Sequence, residues 1–306
     1  MSRKDMALAL LVVTIWGANF TVIKLGLNGV PPMLLAALRY LLAALPAVLF
    51  VPRPAASVRY WVLYGLTVGI GQFGCLFYAM HIGMPAGLAS VVLQSQAFFT
   101  LIFAGVVLRE AVSGAQLAGL GIAALGLFLI GYSGAQGLGE LPVPAFLLTL
   151  AGAASWGVSN IVVRKAAAEA VAKGQRLDMF SLIIWSSLVP PVPLLVFAFA
   201  LNPPEAIVGA FTNLEGMSLF AIVYLAFGAT LFGFGAWSSL LSRYPTHSVA
   251  PLSLLVPVTG LLTAGLVLDE RLSLAQWGAC FLILCGLSVS TFGVRGLRRL
   301  SGAVTR

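Results

Sequence analysis

Two glutamines and a serine stand inside the apolar stretch VLQSQAFFT, where their side chains could bind a small polar solute. Amides and hydroxyls both donate and accept hydrogen bonds, so they can replace water around an uncharged or zwitterionic molecule. Gln94 and Gln96 lie about 200° apart around a helix. We therefore expect one of them to face the solute and the other a neighbouring helix. Gln94 shares a helix face with Phe98, which favours Gln94 as the solute ligand because it pairs an amide with an aromatic wall.

Polar and aromatic residues recur at similar depth in other apolar segments. The full candidate set for solute binding is Trp16, Asn19, Gln72, Tyr78, Gln94, Gln96, Phe98, Trp156, Ser159, Asn160, Tyr224 and Ser253. Trp16 and Asn19 are three residues apart and share a helix face, and Trp156 and Ser159 repeat that spacing. An indole offers a flat apolar wall with one donor. The alternative for each residue is that it holds neighbouring helices together, for about 0.6–2 kcal/mol.

A second set could serve as a gate or as a coupling group, because its members are charged groups or prolines in or beside apolar segments. It consists of Lys24, Arg39, Pro251, Pro257 and Glu270. Each proline frees a backbone carbonyl about one turn earlier. The freed carbonyls could bind the ammonium group of a solute, and a static kink without a ligand is the alternative.

The two cations of this set lie at different depths. Lys24 is one turn from a segment end, where it could extend to the membrane surface. Arg39 lies roughly 10 Å below the surface. It could close a gate against Asp269 or Glu270, contact a solute carboxylate, or form a structural ion pair.

These residues must be positioned by helices that cross a membrane. The chain has 306 residues, 60% of them hydrophobic and 8% charged, whereas a soluble domain has about 25% charged residues. A spanning helix needs about 20 apolar residues, and strands of about 10 residues are excluded by the length of the apolar runs. Ten segments fit: 6–27, 32–51, 60–80, 86–108, 116–134, 144–164, 179–201, 216–241, 248–268 and 274–294. The sequence predicts an all-α membrane protein with ten transmembrane helices.

The net charge of +8 indicates topology and gives no support for nucleic-acid binding. With a cytoplasmic N-terminus, the internal loops and tails hold fourteen Lys and Arg residues, Arg306 among them, and the external loops hold only Arg271. Positive residues favour the cytoplasmic side, so both termini are predicted to be cytoplasmic. We expect the lipid bilayer and a small-molecule substrate to be the partners.

No chemistry of an enzyme or a cofactor is expected. The three cysteines, Cys75, Cys280 and Cys285, lie in apolar segments without metal-binding spacing. Neither an HExxH motif nor a pair of aspartates is present, and His81 and His247 fall at segment ends. We predict neither a metal site nor a cofactor.

The chain repeats itself. LREAVSGAQ at 108–116 matches LDERLSLAQ at 268–276, and the Trp-Gly pair at 16–17 recurs at 156–157, a shorter interval that indicates an insertion in the second half. Each half has five segments, and since five is odd the second half must enter the membrane from the opposite side. The predicted halves are 1–143 and 144–306. Such inverted repeats are typical of secondary transporters and place a site near the midplane.

Three motifs carry a resemblance to a known family: WGANF, MPAGLASVVLQSQAFFT and VAPLSLLVPVTGLL. With them, the chain resembles EamA-type members of the drug/metabolite transporter superfamily, and most of all the bacterial exporters of cysteine and O-acetylserine. The resemblance implies export across the inner membrane from a central cavity lined by spans one, three, four, six, eight and nine. With the inverted repeat, we expect an exporter of small amino acids or related metabolites that works by alternating access. Close relatives export aromatic or other amino acids. Sugar-phosphate and nucleotide-sugar carriers are a further alternative, although phosphate binding calls for Lys or Arg in the cavity.

Overall fold

Helices form all the regular secondary structure of the described residues, 1–135 and 141–304, in the computed structural model. Within them, the side chains of residues 134–135, 246–247 and 294–304 are left undescribed. No strand occurs in these ranges, which confirms the prediction of an all-α fold. Arg306, which was assigned to the cytoplasm, lies outside the described residues.

Ten long helices, labelled here in chain order, follow the apolar segments. They are α1 (Arg3–Gly26), α2 (Pro32–Ala47), α3 (Val58–His81), α4 (Ala86–Val107), α5 (Gly114–Ala135), α6 (Val143–Ala172), α7 (Met179–Ser186 and Pro191–Leu201), α8 (Gly216–Arg243), α9 (Ala250–Leu268) and α10 (Leu274–Val304). Helix α10 is interrupted at Gly293, where φ is 66°. A short helix, Pro204–Thr212, connects α7 to α8, and a turn of helix at Thr246–Val249 precedes α9.

The number of membrane spans is only partly confirmed. In the described part of the chain, eight helices are long and apolar enough to cross a membrane, and α7 makes a ninth if its two parts, bent by 40°, count as one. The remaining helix, α2, has 16 residues, which is below the usual length of a span. It ends at Ala47, earlier than the predicted segment 32–51.

Helix ends follow the local sequence. Proline precedes or opens α2, α4 and α6, where its missing N–H is not needed by the first turn. The carboxylate of Asp178 accepts hydrogen bonds from the backbone N–H groups of Phe180 and Ser181 at 3.3 and 3.0 Å, and so caps α7.

The sequence repeat at 108–116 and 268–276 folds twice into the same local structure. Arg109 and Asp269 both adopt the left-handed conformation, with φ of 55° and 51°. After each, a serine and a glutamine exchange hydrogen bonds and start the next helix. The Ser113 N–H donates to Gln116 Oε1 at 2.8 Å, and that of Ser273 to Gln276 Oε1 at 2.9 Å.

Departures from α-helical geometry also come in matching pairs. Wide π-helical segments interrupt α3 at Gly65–Gly74 and α8 at Tyr224–Phe232. Tight 3₁₀ segments occur in α4 at Leu93–Ser95 and in α9 at Ala250–Leu255. The spacing within both pairs is close to the one that relates LREAVSGAQ to LDERLSLAQ. Such interruptions often mark functional sites or hinges.

Helices α5 and α10 pack against each other at two small residues. A Cβ added to Gly119 would lie 2.5 Å from the carbonyl oxygen of Gly286, and one added to Gly126 would lie 2.7 Å from that of Ala279. Equivalent residues thus occupy the two contacts, because the repeat relates Gly119 to Ala279 and Gly126 to Gly286.

The pairs α1–α9 and α4–α6 also pack in matching ways. A Cβ at Gly17 would lie 2.7 Å from the backbone nitrogen of Gly260, and one at Gly157 would lie 3.0 Å from that of Thr100. The repeat relates Gly17 to Gly157 and Thr100 to Gly260. The halves of the sequence therefore use the same contacts to build the bundle.

Candidate functional site

A cavity with a volume of ≈ 340 Å³ lies beside the C-terminal half of α4. Helices α4, α6 and α10 and the α4–α5 connection with the start of α5 form its walls. The lining residues are Ala97, Thr100, Leu101, Ala104, Glu110, Ala111, Val112, Gln116, Arg164, Ser290 and Thr291. Arg164 donates to Glu110 at 2.6 Å, and both side chains are about half exposed.

A hydrogen-bond network of three polar side chains joins α4 to α6 beside this cavity. The amide of Asn160 donates to Gln96 Oε1 at 2.8 Å and to Thr100 Oγ1 at 2.9 Å. The Thr100 hydroxyl donates in turn to the backbone oxygen of Gln96 at 2.7 Å. Because Thr100 also lines the cavity, the network presents a polar group to whatever enters it.

The structure separates the two glutamines. Gln96 faces α6 through Asn160, whereas Gln94 is half-buried and its amide makes no hydrogen bond within the described part of the chain. Phe98, expected beside Gln94, is only 3% exposed and packs with Ala123 and Leu287. Phe98 thus lies among apolar side chains of α5 and α10.

At the opposite end of α4, helices α4 and α9 are in close contact. The carboxylate of Glu270 accepts hydrogen bonds from the backbone N–H groups of Ala86 at 2.7 Å and Gly87 at 2.9 Å. These are among the N–H groups at the start of α4 that have no partner within the helix. A Cβ at Gly260 would lie 2.5 Å from Ser90 Oγ, so backbone and side chain are in direct contact there.

The repeat relates a face of α9 to a face of α4, and the two faces differ in how closely they are packed. On α9, the contact face for α4 consists of Pro257, Gly260, Leu261 and Ala264. Their equivalents in the first half are Ala97, Thr100, Leu101 and Ala104, and these line the cavity beside α4. Likewise, Glu270 holds the start of α4, whereas Glu110 pairs with Arg164. The molecule is closed at the Glu270 end of α4 and open at the Glu110 end.

The Trp16 side chain lies at the contact between α1 and α8. Its indole N–H donates to the carbonyl oxygen of Ala229 at 3.0 Å, and its ring centroid lies 5.1 Å from that of Phe234 and 5.2 Å from that of Trp237. The Tyr224 hydroxyl donates to Ile15 O at 2.8 Å across the same contact.

Asn19 and Gln72 are buried, and neither the Asn19 Oδ1 nor the Gln72 Oε1 has a partner among the described residues. The other members of the candidate set make local contacts. Tyr78 lies 6.1 Å from the His81 ring, and Trp156 packs against the apolar core. Two serines donate to their own helices: Ser159 to Trp156 O, and Ser253 to Ala250 O, both at 2.7 Å.

Lys24 and the two prolines of the gating set lie at helix contacts. Lys24 Nζ donates to the carbonyl oxygen of Met80 at 2.8 Å, which ties α1 to α3. Pro251 lies in the 3₁₀ segment of α9, and Pro257 lies in the first turn of the α-helical part that follows. The Pro257 carbonyl accepts a long hydrogen bond of 3.4 Å from Ser90.

Arg39 is 2% exposed and donates two long hydrogen bonds to Thr230 Oγ1, at 3.4 and 3.3 Å. Neither Asp269 nor Glu270 is its partner, so the gate contact, one of the three alternatives for Arg39, does not occur in this conformation; Asp269 pairs with Arg271. Beside Arg39 is a second, small cavity of ≈ 20 Å³.

Sequence reasoning missed Thr100, although its spacing of four residues from Gln96 puts both on one helix face. In the described ranges, no group of three or more His, Cys, Asp or Glu side chains could hold a metal ion.

Comparisons with known proteins give a consistent family and fold for this chain. The model of the EamA-like transporter family matches residues 3–132 and 143–292. The chain is 44% identical to the "Probable amino-acid metabolite efflux pump" of Escherichia coli (strain K12), over 96% of this chain and 97% of that protein. It is also 44% identical to the protein of the same name in Salmonella typhimurium, over 99% and 100%. A solved crystal structure with 22% identity has the same fold, with a TM-score of 0.61 over 97% of this chain and 99% of the other.

Proposed function

The chain belongs to the EamA-like transporter family, and we propose that it exports small neutral amino acids of the cysteine and O-acetylserine type by alternating access. It is a transporter and not an enzyme, and it is a multi-pass protein of the inner membrane. The relatives named amino-acid metabolite efflux pumps support export of an amino-acid metabolite. The unequal packing of α4 against α9 and the uncharged polar groups of the cavity support the mechanism.

The proposal includes ten spans in two inverted halves, 1–143 and 144–306, with both termini in the cytoplasm. The paired local structures at 108–116 and 268–276 support a repeat, and Glu110 and Glu270 lie at opposite ends of α4, as inversion requires. Helix α2 would be about 24 Å long at 1.5 Å per residue. The apolar residues 48–51 after it would complete the crossing.

The unequal packing of α4 against α9 is the observation that carries the proposal. The same contact face exists twice, and it is packed at the Glu270 end and open at the Glu110 end. Exchange of the packed and open ends would expose the cavity to the other side of the membrane. By the distribution of positive residues, the open end faces the cytoplasm, where an exporter takes up its substrate.

The chemistry of the cavity supports a small neutral or zwitterionic substrate. Thr100 and the amides behind it offer donors and acceptors without a fixed charge. At the mouth, Glu110 and Arg164 supply one charge of each sign. A sugar phosphate would need a surplus of cations, and Arg164 is already neutralised by Glu110.

Counterflow in proteoliposomes tests the proposal. Vesicles loaded with unlabelled L-cysteine, O-acetyl-L-serine, L-serine, L-phenylalanine or glucose 6-phosphate should take up the matching labelled solute, and we expect exchange with the first three. Asn160→Ala should reduce exchange by about thirtyfold, since it removes two hydrogen bonds of about 1 kcal/mol each beside the cavity. Asn202→Ala is the matched control, because that amide bonds to its own helix end.

The other results have definite meanings. Exchange of phenylalanine alone would replace the substrate class by aromatic amino acids. Exchange of glucose 6-phosphate alone would contradict amino-acid export. Equal exchange by Asn160→Ala and wild type would remove the network from the substrate path.

A further inference from the structure

Arg39 is a buried cation with an incomplete set of partners. Its guanidinium carbon lies 3.9 Å from the centroid of the Phe73 ring and 5.5 Å from that of Tyr40. Nε and Nη2 share the single Thr230 oxygen, and Nη1 is buried without a partner among the described residues. Arginine stays charged in proteins, and the described chain supplies no carboxylate to pair with it. The aromatic faces compensate only part of such a burial.

A second donor beside Arg39 is also free. The Tyr40 hydroxyl is buried and has no partner in the described structure. Three of the other hydroxyls that line the cavity are occupied: Thr230 donates to Leu225 O at 2.8 Å, and Ser186 and Ser187 both donate to Ile183 O. The Tyr64 hydroxyl, which belongs to the same lining, makes no hydrogen bond within the described part of the chain. The donors left over are therefore the Arg39 Nη1 and the O–H groups of Tyr40 and Tyr64. Each of these donors needs a hydrogen-bond acceptor, and the positive charge of Arg39 needs an anion nearby.

Arg39 and Tyr40 line one small cavity between α2, α3, α7 and α8. Its volume is ≈ 20 Å³, somewhat more than the roughly 10–15 Å³ that one water needs. Its other lining residues are Tyr64, Gly65, Val68, Gly69, Phe73, Ile183, Ser186, Ser187, Thr230 and Phe234. The space suits a group of one to three heavy atoms and excludes a phosphate ester.

The walls of this cavity include the irregular parts of two helices. Gly65, Gly69 and Phe73 lie in the π-helical segment of α3, and Thr230 lies in that of α8. The Thr230 hydroxyl bonds to the carbonyl five residues earlier, as the wide turn permits. Segments of this kind are frequent at functional sites, which is an indication independent of the unpaired cation.

We propose that Arg39 and Tyr40 form a binding site for one small monovalent anion, either the carboxylate of the transported solute or a free ion such as chloride. Nη1 of Arg39 and the Tyr40 hydroxyl donate to the anion, and its charge balances that of the guanidinium. The carboxylate alternative rests on the proposed function, and the free-ion alternative stands without it.

Thermal unfolding of the purified full-length protein in detergent tests the site, with the fluorescence of its six tryptophans as the signal. Sodium chloride and sodium formate are each titrated against sodium methanesulfonate at constant ionic strength, because the five heavy atoms of methanesulfonate exceed the one to three that the cavity holds. Wild type should show a saturable rise in Tm with the small anions. Tyr40→Phe keeps the ring and should raise the half-saturating concentration by about tenfold, the effect of one lost charge-assisted hydrogen bond.

Two arginine variants complete the test. Arg39→Gln should abolish the saturable rise. Arg271→Gln, which removes the same charge from an exposed position, should leave it intact. If Arg39→Gln does not fold, the comparison of anion titrations between Tyr40→Phe and wild type is sufficient to test the site. The absence of a saturable rise in wild type, or equal titrations in wild type and Tyr40→Phe, would overturn the site.

A comparison of L-serine with 2-amino-1,3-propanediol identifies the source of the anion. The diol replaces the carboxylate of serine by a hydroxymethyl group. If the substrate's carboxylate fills the site, serine raises Tm and competes with chloride, and the diol does neither. If the site takes a free ion, chloride acts and serine does not. Anion binding without any amino-acid counterflow would keep the site and contradict the proposed export.

Discussion

Glu270 joins the end of α9 to the start of α4, with its Oε2 2.9 Å from the backbone nitrogen of Gly87. Glu110, its counterpart in the first half, follows the same left-handed turn but pairs with Arg164. The two glutamates follow turns of the same geometry but have different partners. This difference therefore reflects the packing of the helices around them, which is close at the Glu270 end of the bundle and open at the Glu110 end. The carboxylate of Glu270 is thus part of the closure.

Removal of this carboxylate should loosen the closed end. Glu270→Ala deletes two charge-assisted hydrogen bonds to the start of α4, each worth about 1.5–3 kcal/mol. We expect a cysteine at Ser90, which is 1% exposed in wild type, to react several-fold faster with a maleimide in a background without Cys75, Cys280 and Cys285. Glu110→Ala, the equivalent change at the open end, should leave the cysteine protected. An unchanged rate in Glu270→Ala would mean that the carboxylate does not hold the closure.

The Thr100 hydroxyl should matter for substrate affinity. Thr100→Val keeps the shape but removes the oxygen that accepts from Asn160 and faces the cavity. The loss of about 1 kcal/mol should raise the half-saturating substrate concentration in counterflow by about fivefold. Thr149→Val is the control, because the Thr149 hydroxyl donates only within α6. Equal affinities of both variants would place Thr100 outside the substrate path.

Substitution by alanine at two glycines of α5 should change the stability of the protein in opposite directions. A Cβ at Gly119 meets backbone atoms of α10 at 2.5 and 2.8 Å, whereas one at Gly121 meets nothing within 4 Å. We expect Gly119→Ala to destabilise the fold by about 1–3 kcal/mol through overpacking. Gly121→Ala should be neutral or stabilising by up to about 1 kcal/mol. Thermal unfolding in detergent measures both, and a stable Gly119→Ala protein would show that α5 and α10 can move apart.

Two exposed positions should lie on opposite sides of the membrane. In the cysteine-free background, an impermeant maleimide should label Arg271→Cys in intact cells, and Arg176→Cys only after the membrane is opened. Both residues are exposed, so accessibility alone does not separate them. Labelling of both in intact cells would contradict the inverted arrangement of the halves.

The match between LREAVSGAQ and LDERLSLAQ was enough to predict that two regions are equivalent. The structure shows this equivalence in the φ angles of Arg109 and Asp269 and in the paired serine–glutamine caps. Local sequence sets such features, since only nearby residues take part. Helix positions were predictable for the same reason, because each apolar run must satisfy its own backbone groups in lipid.

The partners of the polar side chains were not predictable. Arg39 meets Thr230, which is 191 residues away, and Gln96 meets Asn160, which is 64 residues away. Helical spacing says which residues share a face, but not which helix that face meets. The π-helical segments gave no signal either, since their glycines also suit close helix packing.

The close contact of α5 with α10 has a consequence for how the transporter moves. Gly119 meets Gly286 and Gly126 meets Ala279 backbone to backbone, at two points along the pair. Two contacts along their length prevent the helices from sliding or tilting separately. Helices α5 and α10, one from each half of the sequence, therefore form a rigid pair. In the proposed alternating access, the remaining helices would then move relative to this rigid pair, and a displacement at one end of the bundle would be transmitted to the other.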